Sequence, residues 1–486
     1  MTVAIDLPSL RLSEEEGQWI GELRGDIVRF AAKNRKKYAL YEGTFVADQI
    51  GIAVPPLLRD WPVRVGLGRT VIDVRAERLG WINWETADSD LMGLDDIART
   101  NRLQLESAQV HLGALITGTS FAVVGKDKTG PVIVPRSPSA MAVKKHPITG
   151  EIIAALLQIR NEFGSTIAET LYLMNDTVTL ERKGRKLKVT NRANHNLGEV
   201  PVVQFFNQPN DSHPNGQSVI TPPVEYNISA VARTALAMEV HREFFAAPQR
   251  AALGADPEMF GFKDDMSPAE KEALGWAITM GRMNIVPRSG EGEGHIPQMH
   301  EFKSSSPAVY IEMQRHYALQ VASDSGTPAS YFAVLTDQPA SSDSIKALAE
   351  RLERRTLSQH AEFDRGWTKA ARLSLLRRDG EVDEVALSKV RSKWAPATSS
   401  TPSASADSGM KLVAADILPP DSPVTHEMVG LTDMQSRQIQ AWNERKAARA
   451  LVENIKAAAS KVTDQSVIDM AGRNRPTQET IDALAE

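Results

Sequence analysis

The stretch TDQPASSDSIKALAERLERRTLSQH, residues 336–360, begins with small and polar residues and continues as a long charged helix. Apolar or small side chains recur along it at helical spacing, at Ile345, Leu348, Leu352, Thr356, Phe363 and Trp367. That spacing leaves only one narrow apolar face, whereas a compact enzyme domain ordinarily buries more of such a helix. The pattern therefore predicts a flexible polar loop mounted directly on a long, mostly wettable helix.

The charges on this helix have two interpretations. Residues 345–378 carry nine basic and four acidic side chains, which is compatible with a surface near phosphates. The more ordinary interpretation is a solvated helix face with ion pairs one turn apart, such as Glu350 with Arg354.

Two further long helices are predicted on the N-terminal side, over 224–247 and 306–322. Between them lie residues 248–302, with nine acidic and five basic side chains, a predicted helix at 267–280 and a predicted strand at 283–286. This order favours a stalk of two helices that carries a small acidic tip.

The first half of the chain predicts a mixed α+β domain. Ser13 and Glu16 form a capping box that starts a helix ending near 33–37, and a single long helix is predicted over 94–117. Strands are expected at 81–84, 131–138, 151–163, 166–184 and 186–192, with turns at Gly150, Gly164 and Gly184. Residues 395–409 are rich in Ser, Ala, Pro and Thr and predict a linker or surface loop before a helical C-terminal part.

Composition narrows the function classes. The 486 residues are 42% hydrophobic and 24% charged with a net charge of −5, which gives no overall attraction to nucleic acid. The absence of cysteine excludes disulfides, thiolate nucleophiles and cysteine-ligated zinc. The N-terminal residues predict no signal peptide, and no apolar run reaches the length of a membrane span.

Enzymatic motifs are missing from the sequence. It contains no phosphate-binding loop, no nucleophile elbow and no zinc-protease pair, so we predict no cofactor, no metal and no enzyme. The acidic pairs Asp88/Asp90, Asp95/Asp96 and Asp264/Asp265 are candidates for two-metal chemistry, although carboxylates are also common in the first turns of helices. A metal-dependent DNA-processing enzyme that uses Asp95 and Asp96, or Asp264 and Asp265, therefore stays open as an alternative.

An ordered series of segments resembles the portal proteins of tailed bacteriophages, of the kind found in long-tailed phages of Gram-positive hosts. The matching segments are YEG at 41–43, VIDVRAERLGW at 71–81, NRLQLESAQVHLGALITGTSFAVVG at 101–125, LGEVPVVQFFNQP at 197–209, AAPQRAALGAD at 246–256, SGTPASYF and SSDSIKALAERLE within 325–353, and KW at 393–394.

The resemblance implies an α+β portal fold that assembles as a ring, most simply a dodecamer. The implied regions are a wing (1–221 and 345–395), two stem helices (222–247 and 303–325), a clip (248–302), a tunnel loop (326–344) and a C-terminal crown with its Ser/Pro-rich connection (396–486).

The implied function is that of a channel at one capsid vertex through which double-stranded DNA is packaged and ejected. The implied partners are further copies of the chain, DNA, the large terminase, the head–tail connector, and the major capsid and scaffolding proteins, in a virion component made in the bacterial host cytoplasm, with no membrane. The expected DNA-facing residues are Asp337, Gln338, Ser341, Ser342 and Asp343, and the expected docking residues are Asp256, Glu258, Asp264, Asp265, Glu291 and Glu293. A minor head-assembly protein without a channel is the second alternative.

Overall fold

A computed structural model describes residues 11–45, 63–87, 90–184, 186–245, 250–253, 257–280, 298–301, 306–332, 342–397 and 402–473. The chain divides into two compact units, 1–397 and 398–486, and each is treated by itself. Among the described residues no helix has the length and apolar character needed to span a bilayer.

The first unit contains both helices and strands, including eight consecutive strands from β2 to β9. Its elements are α1 (Glu14–Glu42), α2 (Leu67–Ala76), β1 (Trp81–Glu85), α3 (Leu94–Thr100), α4 (Leu103–Thr117), β2 (Thr119–Lys126), β3 (Pro131–Arg136), β4 (Met141–Lys145), β5 (Ile152–Arg160), β6 (Thr166–Tyr172), β7 (Asp176–Lys183), β8 (Lys186–Asn194), β9 (Val202–Phe206), α5 (Pro222–Phe245), β10 (Arg250–Leu253), α6 (Pro268–Met280), β11 (Gln298–Glu301), α7 (Ala308–Ser325), α8 (Ser342–Asp379), α9 (Glu384–Ser388) and β12 (Arg391–Trp394). The second unit contains α10 (Pro402–Ala414), α11 (Pro423–Val429) and α12 (Asp433–Arg473).

The strands pair antiparallel in four small sheets, in the orders β3-β2-β9, β4-β5-β6-β7-β8, β1-β12 and β10-β11. The predicted turns at Gly150, Gly164 and Gly184 are confirmed, and each glycine has a positive φ that favours a residue without Cβ. The stretch 166–184, predicted as one strand, forms β6 and β7 with a turn between them. The mixed α+β class predicted from the sequence is confirmed.

Helix α1 begins with the predicted capping box, since Ser13 and Glu16 bond each other's backbone amides. The predicted end near 33–37 is wrong, because α1 continues to Glu42. Its apolar face packs on the five-stranded sheet, and the buried Lys37 donates from Nζ to Glu225 Oε2 at 2.7 Å and to the Ile220 carbonyl at 2.6 Å. A lysine that reads as exposed in the sequence thus joins α1 to the start of α5.

The single helix predicted over 94–117 is divided into α3 and α4. Asn101 lies between them and donates from Nδ2 to the Pro131 carbonyl at 2.9 Å, while its Oδ1 accepts from the Ile133 amide at 2.8 Å. Arg102 has a φ of 51° and interrupts the helical path. The predicted passage from a buried helix into a strand is confirmed by α4 and β2.

Helices α5 and α7 pack side by side and run antiparallel. Asn227 Nδ2 donates to Asp324 Oδ2 at 3.2 Å, and the rings of His241 and Tyr310 lie 5.4 Å apart toward the other ends of the helices. Strands β10 and β11 pair in register from Arg250 opposite Glu301 to Leu253 opposite Gln298. The segment between α5 and α7 therefore leaves and returns through neighbouring strands, and the predicted strand at 283–286 lies outside the described residues.

In the second unit, the predicted linker over 395–409 is partly wrong because α10 begins at Pro402. Proline suits the first position of a helix, and Lys411 Nζ pairs one turn back with Asp407 at 2.7 Å. Ser422 caps α11, and a 2.8 Å hydrogen bond between His426 Nδ1 and Ser436 Oγ joins α11 to α12.

Candidate functional site

The segment 323–332 contains the end of α7 and the first residues of the predicted tunnel loop (326–344), and its backbone is tightly held. Helix α7 ends at Gly326, whose φ of 68° is the left-handed conformation common after a helix. The Thr327 amide then donates back to the Ala322 carbonyl at 3.0 Å. A short 3₁₀ turn over Ala329–Phe332 follows, and Phe332 is buried in the main core.

Four arginines hold this segment, three of them from α2 and α8 and the fourth, Arg78, from the turn after α2. Arg75 of α2 and Arg355 of α8 both donate to the Ser325 carbonyl. Arg351 donates from Nη1 to the Ser323 carbonyl at 3.1 Å, and Arg78 donates from Nη2 to the Tyr331 hydroxyl at 2.9 Å. Because the last carbonyls of a helix lack internal donors and carry partial negative charge, cationic donors stabilise them. The contacts fix the end of α7 between α2 and α8.

The charge of this cluster is not balanced within the described part of the chain. Arg75, Arg351 and Arg355 meet backbone carbonyls, and none of them pairs there with a carboxylate. Burial, together with the charges of Arg355 and Arg351, lowers the pKa of Arg75 to about 9. Burial also lowers the pKa of Arg355, with a further contribution from Arg351. Arg75 Nε is buried and has no hydrogen-bond acceptor among the described residues.

The predicted apolar stripe of α8 anchors the helix in the core. Phe363 stacks on His111 of α4 with ring centres 4.7 Å apart, and Trp367 Nε1 donates to His111 Nε2 at 3.0 Å. Burial lowers the pKa of His111 to about 3, so the imidazole is neutral. With Nε2 accepting, Nδ1 carries the proton and donates to the Leu79 carbonyl at 3.1 Å. The α8 helix is thus fixed to α4 through one defined tautomer.

Several basic residues of α8 are satisfied within the chain, as the ordinary interpretation predicts. Arg354 pairs with Glu350 at 2.6 Å, one turn apart. Arg372 donates to Glu199 and Glu384, and Arg378 pairs with its neighbour Asp379 at 2.7 Å. Arg372 therefore joins the C-terminal half of α8 to α9 and to the segment before β9, whereas the other two pairs lie within α8.

The residues predicted to face DNA lie mostly outside the described part of the chain. Asp337, Gln338 and Ser341 fall in the undescribed stretch, and Ser342 and Asp343 form the first positions of α8. Their proposed contacts stay a prediction.

Part of the predicted acidic docking surface is described. Glu258 lies in the 3₁₀ turn Pro257–Phe260, and Asp264 and Asp265 lie in the turn before α6; all three are exposed. The predicted docking residues Asp256, Glu291 and Glu293 lie outside the described residues. No contact tests their role.

The acidic pairs considered for metal chemistry do not come together. Asp95 and Asp96 occupy the first turn of α3, where Asp96 accepts from Arg99, while Asp90 Oδ1 accepts from the Met92 amide at 2.7 Å. Within the described ranges, no group of three or more His, Cys, Asp or Glu side chains could hold a metal ion, and Asp88 lies outside those ranges.

Sequence reasoning missed the four arginines of the anchoring cluster. Arg75 follows Val71 and Val74 in a short helix and gives no sign of burial, since an arginine beside apolar residues is ordinarily exposed. Its acceptor lies at Ser325, far away in the sequence and on the backbone. One indirect signal in the sequence pointed to distant cations at the end of α7, which is that α7 has no basic residue in its own last turn.

Comparisons with known proteins agree with the fold and the segment order. The family model described as "Phage portal protein, SPP1 Gp6-like" matches residues 73–450. The portal protein of Mycobacterium phage D29 is 26% identical over 432 residues, covering 86% of each chain, and that of Mycobacterium phage L5 is 25% identical over 426 residues, covering 85% of each.

Two solved structures are also similar in part. The virion of a native gene transfer agent particle contains a chain with a TM-score of 0.43 and 15% identity, over 75% of this chain and 90% of that one. The neck of the native particle, computed with C12 symmetry, contains one with a TM-score of 0.44 and 14% identity over the same shares. The match of the family model spans well over half of the sequence, and the chain therefore belongs to the SPP1 Gp6-like family of phage portal proteins, which are structural components of the virion.

Proposed function

We propose that twelve copies of this chain form a ring at one capsid vertex, and that double-stranded DNA passes through its centre during packaging and ejection. Family membership supports the portal role. In this proposal α5 and α7 are the stem, the segment between them is the clip, residues 326–344 are the tunnel loop, and the second unit contains the crown.

The observation that carries the proposal is the contrast between the anchorage of the segment 323–332, where the tunnel loop begins, and the lack of cations in the loop itself. Arginines from α2 and α8 hold the segment, whereas residues 326–344 contain no lysine or arginine. Each cation that neutralises a phosphate releases counterions and tightens binding, and a ring multiplies that effect. The base of the loop is held in place, and its remaining polar residues are neutral or acidic. These properties suit a loop that contacts moving DNA without binding it tightly.

The first test is electron microscopy of the purified full-length chain together with its mass from light scattering. Rings with a central hole and a mass near twelve subunits support the proposal. A chain that stays monomeric, both alone and when it is coexpressed with the phage's scaffolding protein, contradicts it.

The loop is tested by adding the charge that it lacks. Asp337→Arg and Asp343→Arg are expected to leave ring formation intact and to slow DNA packaging, because each adds one phosphate contact per subunit. The matched control, Asp337→Asn, removes charge without adding a cation and should package close to normally. Normal packaging by both arginine variants would refute the proposed role of the loop.

The clip is proposed to dock the large terminase first and the head–tail connector afterwards. Glu258, Asp264 and Asp265 are exposed and acidic, so a partner with a basic surface fits them. Reversing all three to lysine should abolish capture of the terminase by assembled rings. Reversal of Glu151 and Glu162, which are exposed on the strand turns of the first unit, is the matched control. Capture that survives the clip reversal would eliminate this docking surface.

A further inference from the structure

Around Arg351–Arg355, the two sides of α8 next to its buried face carry opposite charges. Leu352, Thr356 and Phe363 are fully buried and define the face toward the core. At about 100° per residue, Arg351 lies on one side of that face, and Glu353, about 200° further round, lies on the other. Arg355 shares the side of Arg351, one turn later.

The basic side has capacity left for an anion. Arg351 is exposed and donates to one carbonyl, although a guanidinium offers five N–H donors. Behind it lie Arg355 and the buried Arg75, and no carboxylate within the described ranges pairs with any of the three. The buried, unsatisfied Arg75 Nε adds to this excess of cationic donors.

On the acidic side, a carboxylate lacks a cationic partner among the described residues. The half-buried Glu353 forms no ion pair or side-chain hydrogen bond with a described residue, whereas Glu350 in the same helix pairs with Arg354. Beside Glu353, Leu357 is 53% exposed. A carboxylate with an apolar neighbour is suited to contact another protein surface.

We propose that Arg351, supported by Arg355, binds the carboxylate of Glu353 from the adjacent copy of the chain. This inference rests on the proposed ring. In a ring built by rotation, the contact between neighbouring copies joins two different surfaces of the chain. Because the two sides of α8 are oppositely charged, each copy supplies both halves of the contact, and the pairing repeats around the ring.

The absence of native cysteine allows a direct test. Arg351→Cys and Glu353→Cys chains are coexpressed, so that mixed rings form, and are treated with a short bis-maleimide. Covalent dimers should appear in the mixture and not with either variant alone, since the two positions meet only across a subunit boundary. If mixed rings form and give no dimers, the proposed pairing is wrong, whereas the proposed ring is unaffected.

Charge exchange provides the second test and does not depend on the cross-linker. Glu353→Arg and Arg351→Glu should each reduce the assembled fraction at least tenfold, and the double exchange should restore it. Glu381→Arg, at an exposed acidic position just after α8, is the control and should assemble normally. Unchanged assembly in both single variants overturns the pairing. If the unmodified chain forms no rings, the proposed function fails and the pairing fails with it.

Discussion

At Gly326, one added carbon would disturb the arginines that hold the segment 323–332. A Cβ at this position would lie 2.7 Å from Arg355 Nη1 and 2.9 Å from Arg355 Cζ. The same Nη1 atom donates to the Ser325 carbonyl. Arg355 therefore cannot move aside for an alanine and keep this hydrogen bond.

Two costs add in Gly326→Ala. Holding a residue with a Cβ at a φ of 68° costs about 1–2 kcal/mol. Losing a hydrogen bond from a charged donor costs about 1.5–3 kcal/mol more. We therefore expect the local opening of this turn to become about 3–5 kcal/mol easier, which corresponds to amide exchange at Thr327 at least 100-fold faster.

Gly380 is the matched control. It also follows a long helix with a positive φ, of 83°, but a Cβ there would meet nothing within 4 Å. Gly380→Ala should therefore show the backbone cost alone, about 1–2 kcal/mol, in the exchange of its own amide. The reasoning is refuted if the two substitutions have equal effects, or if Gly326→Ala remains equally costly in an Arg355→Ala background, where the obstructing guanidinium is gone.

Three further substitutions test other parts of the first unit. Lys37→Met should lower the free energy of unfolding by about 2–3 kcal/mol, because the Ile220 carbonyl and the Glu225 carboxylate lose a charged donor. The control Lys33→Met, at an exposed position of the same helix, should change it by less than about 0.5 kcal/mol. Equal denaturant midpoints for the two variants would contradict the stabilising role of Lys37. His111 has a folded pKa of about 3, below its unfolded value of about 6.5. The unfolded chain therefore takes up the proton first, and stability should fall by about 1.4 kcal/mol per pH unit below about pH 6; the slope of urea midpoints against pH should be shallower in His111→Gln. In Gly366→Ala the new Cβ would lie 2.5 Å from the Phe205 ring, so the melting temperature should drop and partly recover when Phe205→Leu is added.

Local signals in the sequence predicted local structure well. The capping box at Ser13 and the turns at Gly150 and Gly164 depend on residues a few positions apart, so their spacing suffices. The division of the helix near Asn101 could not be found this way. Its cause is a pair of hydrogen bonds to Pro131 and Ile133, which lie some thirty positions later and come close only after β3 has formed.

The tunnel loop and the residues that anchor it differ in the same way, since only the loop can be recognised from residues close together in the sequence. The loop was placed by the family resemblance, and the lack of lysine and arginine in residues 326–344 can be seen in the sequence itself. The anchorage depends on Arg75 and Arg355, whose acceptor is the backbone carbonyl of Ser325. A carbonyl is present at every position, so nothing in the identity of Ser325 marks it as the partner of two guanidiniums. Sequence patterns can therefore suggest which loop to test for DNA contact, whereas the groups that hold its base become identifiable only when distant helices are placed side by side.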